Sequence, residues 1–538
     1  MACLCTGLGR LDEACAANEE AIMIQRELYQ WDPDKYRIGL ACFLGTYNVV
    51  LREKGHYDKA CSAAVESVEL QRALSARDLE SYHYLLAPSM YQYYASLSAA
   101  GRFTDACEAA AESVILQREL FRRDPGRHCQ MLAIFLYYYG LSLDSARRME
   151  EACSAKLEAI TLVDQLFEQD PDTHRPNLAR YLRSYDHSLH EAKRYQDAYK
   201  ISERALSLQR ELHQQDPDQH LAELGWSLQR YGIALHALER FDEACDVGYE
   251  ALSLQRDVLR RDGNNAAARS ALAEFLNSLG GTLHSAGRLD AAITIKAEAV
   301  SVQRLLFDAD PDQHRPNLAT QLRSYDSTLL AVGRYDEACE IAGEAVFHHR
   351  ELFAQKPDEY RAELAHTLQQ YQVSLCAAKR FEQACAAGEA AAFFQRQLYE
   401  RDPNTHRSTL ADFLRDYGVS LHGNGNLEIA CTVKQDALTL RRELYASDPE
   451  AHCFDLARLL GSYGMTLHEL GRLNEACAAG EEAVTLWRRL HSRNPDKFLK
   501  EMTVSLKKCT VLLHSAERFD DVSTLADEIA RLEIEQDS

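Results

Sequence analysis

The chain has 538 residues, 46% of them hydrophobic, and a formal charge of −22. So acidic a chain lacks the basic face a nucleic-acid binder needs, and it repels anionic membranes. Its longest apolar run, Met131–Leu143, holds three tyrosines and is too short to span a bilayer, and no signal segment opens the chain, so a cytoplasmic location is expected.

Taken in chain order, the sequence repeats. A heptad reading Gly-Arg-Leu-Asp-Glu-Ala-Cys fills Gly9–Cys15. Its second residue, the anchor, recurs at Arg10, His56, Arg102, Arg148, Arg194, Arg240, Arg288, Arg334, Arg380, Asn426, Arg472 and Arg518. Ten of the eleven steps are 46 residues, and the step from 240 to 288 is 48. A fixed period of this length signals a solenoid, in which each unit buries its apolar face on its neighbours. Met1–Arg10 supplies only the tail of a helix, so residues 1–33 read as an incomplete first repeat. Its bare face is expected to be either an open cut in a longer chain or a place where the protein docks or oligomerises.

Within each repeat, apolar residues such as Leu178, Leu182, Tyr185 and Leu189 fall at offsets of 4, 3 and 4, one stripe of an α-helix. Glycine before the anchor, as at Gly55 or Gly333, ends that helix, and an acid such as Asp242 or Asp336 opens a second. Proline, as at Pro125 or Pro311, marks the second helix's exit. Arginine closes the second helix in ten of eleven repeats, Arg118 and Arg304 among them, with Asp164 the exception; an acid of a neighbouring unit such as Glu250 or Glu344 is its expected partner. Nine cysteines, from Cys15 to Cys477, share one place just after the anchoring alanine and read as small buried residues rather than disulfides or metal ligands. Residues 262–282 break the register, with Gly263 in the proline's place and Gly280-Gly281 following, and mark a possible bend or junction of two sub-arrays. The acidic stretch 518–538 suits a C-terminal capping helix. No strand pattern appears, and the expected fold is all-α.

The last copy reads Tyr463-Gly464, Leu467, Gly471, Leu473, Ala476, Gly480 and Ala483. It resembles the tetratricopeptide repeat, in a variant lengthened to 46 residues like the arrays of fungal and bacterial multidomain signalling proteins. The resemblance implies a single right-handed superhelical solenoid of about twelve helix-turn-helix repeats over residues 1–538. It also implies a non-catalytic scaffold that binds partner peptides or helices along a concave groove. The alternative is the sensing or regulatory arm of a larger NTPase- or CHAT-peptidase-type signalling protein, of which this chain is a fragment.

In that family the first helix of each repeat lines the groove, at places 14, 11, 7, 4 and 3 before the anchor. Those places hold Arg183, Gln229, Asn277, Arg323, Gln369, Arg415 and Lys507, together with His190, His236, His284, His422, His468 and His514. Basic and amide side chains inside so acidic a protein point to an acidic or amide-rich peptide, although the same placement suits ordinary solvated side chains. Toward the other end Tyr91 and Tyr137 fill the same places and are expected to be exposed, as the core of an interface would be. A second histidine set at His128, His174, His220, His314, His406 and His452 is placed in the inter-repeat loops. One histidine per repeat cannot converge on one metal ion, so no metal and no cofactor are expected. Every candidate Cys, His or Asp belongs to a repeat register, and no catalytic constellation results.

Overall fold

The computed structural model describes residues 11–75, 79–261 and 265–537. The half-repeat at Met1–Arg10 and the break at 262–264 lie outside them. The chain divides into two compact units, Met1–Asp262 and Gly263–Ser538, each an all-α repeat solenoid.

Unit 1 holds α1 (Leu11–Trp31), α2 (Pro33–Glu53), α3 (Tyr57–Ser75), α4 (Leu79–Ala99), α5 (Phe103–Arg123), α6 (Pro125–Ser145), α7 (Met149–Gln169), α8 (Pro171–Glu191), α9 (Tyr195–Gln215), α10 (Pro217–Ala237) and α11 (Phe241–Arg261). Unit 2 holds α12 (Ala266–Ser285), α13 (Leu289–Ala309), α14 (Pro311–Val332), α15 (Tyr335–Gln355), α16 (Pro357–Ala377), α17 (Phe381–Arg401), α18 (Pro403–Gly423), α19 (Leu427–Ser447), α20 (Pro449–Glu469), α21 (Leu473–Arg493), α22 (Pro495–Ser515) and α23 (Phe519–Asp537). Even-numbered helices precede an anchor and odd-numbered helices follow one. No strand occurs among the described residues, and no helix there is long and apolar enough to cross a membrane.

Proline corrects the expected boundary. It opens nine of the eleven even helices, all but α4 and α12, instead of marking the exit of the odd one. Asp124, Asp170 and Asp310 each cap the N-terminus by accepting the backbone N–H three residues on, and proline follows where no N–H is needed. One residue therefore separates the two helices, and the histidines assigned to loops lie in the first helical turn. His128 donates its backbone N–H to the Asp124 carbonyl, and its ring meets Gln117 at 3.5 Å.

The other turn closes at the anchor. The Arg148 N–H bonds the Leu143 carbonyl at 2.9 Å, and the residue between helix and anchor has positive φ. Six glycines fill that place, but so do Arg147, Lys193, Glu239, Lys379 and Glu517. Burial follows the expected stripe: Leu178, Leu182 and Leu189 are fully buried, as is the anchoring alanine in Ala152, Ala198 and Ala338. Helices pack on their neighbours in sequence, and even helices also touch each other, as in α2 with α4, α8 with α10 and α16 with α18. That closer approach puts the even helices on the inner side of each unit.

On the outer side the odd helices reach each other through ion pairs. The recurrent arginine lies within its helix, not at its end, and meets an acid 40 residues on: Arg26 with Glu66 at 2.5 Å, Arg442 with Glu482 at 2.6 Å, and Arg118 with Glu158. Asp164 fits the scheme with its charges exchanged, because Arg204 stands 40 residues on and bonds it at 2.5 Å.

The cysteines are free among the described residues, and most are buried. Burial pushes thiols such as Cys153 and Cys339 up, and Cys509 up to about 11, so they stay protonated.

Candidate functional site

The inner face of unit 1 contains one hollow in which charge and aromatic surface meet. Helix α8 presents Arg180, Arg183, Ser184 and His187, spaced to share one face. Helix α6 adds Tyr137, and α10 adds Trp226 and Arg230 one turn apart. The hollow has a volume of about 330 Å³. A second, of about 210 Å³, shares Arg180 and Arg183 and is closed by Gln209, His220 and Glu223.

The three arginines differ in how far they are satisfied. Arg180 is exposed and lies 5.4 Å from the Tyr137 ring and 5.5 Å from that of Tyr181, with Asn177 its hydrogen-bond acceptor. Arg230 donates Nε to buried Asp186 at 2.6 Å, while its buried Nη2 has no partner. Arg183 is half-buried and has neither ion pair nor hydrogen bond among the described residues. Burial lowers its pKa, and the Glu223 charge opposes that. Burial pushes the Asp186 carboxyl up to about 6 against the pull of Arg230. Burial also lowers His187, and the Arg230 charge adds to that.

Tyr137 corrects an expectation. It is 8% exposed, because its ring stacks on Tyr181 with centroids 4.2 Å apart. Only its edge reaches the hollow. Tyr91 is half-buried and packs on Tyr138 at 4.7 Å and Phe135 at 6.1 Å.

The remaining groove residues are not gathered into this site. Gln229 is buried, and Asn277 and Arg323 are half-buried. At Arg415, in unit 2, the expected basic character is cancelled locally. Arg415 is held by Asp412 at 2.7 Å and Asp416 at 2.8 Å, and Gln369 donates to Asp416 at 2.7 Å. An acid 14 places before the anchor thus consumes the cation at place 11. Lys507 lies exposed on α22.

Three of the six histidines brace the turns and three link neighbouring even helices. His190, His236 and His514 set their rings edge-on to Tyr195, Phe241 and Phe519 at 5.3–5.5 Å. His284 meets Thr328 at 3.0 Å, His422 meets Thr466 at 3.1 Å, and His468 meets Ser515 at 2.8 Å. Among the described residues no group of three or more His, Cys, Asp or Glu is placed to hold a metal ion.

Sequence reasoning passed over a second set of charged residues. Lys156, Lys296 and Lys434 stand three repeats apart, at a place that holds Ala110, Ser202 or Gly388 in other repeats. All three are buried. Each stem lies against a glycine of the preceding helix; a Cβ on Gly140 would come 2.5 Å from Lys156 Cγ. Lys156 Nζ bonds Ser188 at 2.8 Å, the Ser184 carbonyl at 3.0 Å and Asp144. Among the described residues Lys296 and Lys434 have no carboxylate bonded, and they donate to Thr328 and Thr466, each at 2.8 Å. A charged residue in a slot of small residues was the signal.

The tetratricopeptide repeat profile matches residues 456–496, from the middle of α20 through α21 to the start of α22. The same hairpin recurs with the same anchor, turn and buried leucine throughout the described residues. Over residues 456–496 the chain carries a tetratricopeptide repeat. No curated protein matches it. Among solved structures, BtubC (BKLC) from P. vanneervenii is 17% identical, covering 46% of this chain and 92% of its own, with a TM-score of 0.38. A putative kinesin light chain of Podosopora anserina with nearly identical repeats is 14% identical, covering 40% of this chain and 95% of its own, at 0.34. The apo form of RapI is 13% identical, covering 56% of this chain and 95% of its own, at 0.39. At these identities and scores nothing about activity passes to this chain.

Proposed function

We propose that the protein is a non-catalytic interaction scaffold that holds an acidic peptide segment of a partner protein along the inner face of unit 1. The observation that carries this reading is Arg183, a half-buried guanidinium without an ion pair, flanked by Arg180 and Arg230 in one aromatic-walled hollow. In a chain of net charge −22, three arginines in one hollow with only Arg230 paired to a carboxylate favour an acidic ligand. The apolar walls supply area, and the arginines supply orientation and rate of encounter. We assign the protein to the cytoplasm, where its free thiols stay reduced.

Selection from a random peptide library tests the reading. Wild-type protein is expected to enrich acidic peptides that the Arg183→Glu variant, at unchanged helix content, binds at least tenfold more weakly. Enrichment of peptides without acidic residues, or equal binding by the variant, sinks it.

A further inference from the structure

We propose that the hollow between α6, α8 and α10 binds an aryl phosphate, the side chain of a phosphotyrosine in a partner peptide. This rests on the scaffold reading above and names the chemical group that the site takes.

Charge comes first. Three guanidinium groups line the hollow, and among the described residues Asp186 is the one carboxylate bonded to any of them. The lining therefore carries two net positive charges, with Glu223 facing the neighbouring hollow. A carboxylate brings one negative charge. A phosphoryl group brings about 1.5 to 2 near pH 7, with three acceptor oxygens.

Donor geometry points the same way. Arg230 spends Nε on Asp186 and leaves Nη2 buried with no acceptor. Among the described residues Arg183 has no hydrogen-bond or ion-pair partner for its donors. Buried donors without acceptors are costly, and planar guanidinium forks pair best with phosphate and carboxylate oxygens. A group with three oxygens can serve Arg180, Arg183 and Arg230 together.

Shape selects the carrier. A volume of about 330 Å³ is more than a phosphoryl group alone needs, and Trp226 with the Tyr137 edge forms an apolar wall beside the arginines. An aryl ring would lie on that wall. A phosphorylated aliphatic side chain would leave it uncovered.

Calorimetry on the full chain tests the proposal with four probes: a capped phosphotyrosine peptide, the same peptide with phosphoserine, the same with glutamate, and inorganic phosphate. The phosphotyrosine peptide is expected to saturate one site at least tenfold more tightly than each of the others. Arg183→Met and, separately, exposed Arg180→Ala are each expected to weaken it tenfold or more at unchanged helix content and melting temperature. Equal affinity for the glutamate or phosphoserine peptide overturns the aryl phosphate assignment, as does inorganic phosphate binding as tightly as the peptide. Indifference to both variants, or no binding at all, does the same. Should the phosphopeptide fail while library-selected acidic peptides still depend on Arg183, the phosphoryl assignment falls and the scaffold reading stands.

Discussion

At the residue scale, each repeat is a set of slots whose occupants have separable costs. Lys356 stands where other repeats have a capping aspartate, and it makes no side-chain cap. Lys356→Asp should supply an acceptor to the first turn of α16 and raise the melting temperature by about 2 °C, read by circular dichroism. No rise would mean that this turn is already satisfied another way. The buried lysines make a stronger statement. Burial lowers Lys296 and Lys434 to about 8, whereas in the unfolded chain they titrate near 10.5. A depressed folded pKa means that the charged form is penalised in the fold, fully below pH 8. As pH rises above 8 the folded lysine loses its proton before the unfolded one, so stability is gained. Lys296→Met and Lys434→Met lack this titration. Relative to them, wild type should gain roughly 2 kcal/mol per lysine between pH 7 and 10, measured by urea denaturation at each pH. A gap that stays constant with pH would show that the amines are not held in the low-dielectric interior.

At the element scale, an ion pair holds the outer face in register at most steps within each unit, and the exchanged pair between α7 and α9 offers a clean test. Asp164→Arg sets a guanidinium against Arg204 and should destabilise by about 0.5 kcal/mol, in the range of exposed pairs. Adding Arg204→Glu recreates the arrangement seen at Arg118 with Glu158 and should recover the loss. A double variant no better than the single would mean that the pair carries no coupling. The elements themselves were legible in the sequence, because offsets of 4, 3 and 4 at Leu178, Leu182, Tyr185 and Leu189 leave only a helix. Proline was misplaced for a physical reason: the residue tolerates a helix's first turn as readily as it forbids the interior, and the preceding aspartate decides between them. The groove was half legible. Spacing put Arg183 and Tyr137 on the inner helices, but it could not show Tyr137 stacked beneath Tyr181, nor Arg415 cancelled by Asp412 and Asp416, since those depend on which neighbours meet across repeats. Arg230 lies one place beyond the expected groove set and owes its aim to Asp186.

At the scale of the whole molecule, the consequence of neighbour-only packing is that stability is local. Within each unit the helices contact their neighbours in sequence, and on the inner side most even helices also touch the next even one. A repeat array of this kind behaves as a sum of units and nearest-neighbour interfaces, so damage spreads only as far as the coupling between neighbours carries it. Leu467 tests this at a place far from the arginine hollow. It is fully buried in α20 and belongs to the stripe that every even helix repeats. Leu467→Ala removes that packing and leaves a cavity, at a cost of about 2–5 kcal/mol. In a globular core that cost would be felt at every protected amide, because opening is global. Here hydrogen exchange should quicken through α19 to α22 and fade over the next hairpins, with α1 to α11 exchanging as in wild type. Acidic-peptide binding at Arg183 should be unchanged in the same sample. Uniform loss of protection across both units would instead require long-range cooperativity, and would show that the interfaces between repeats are strong compared with the intrinsic stability of each hairpin.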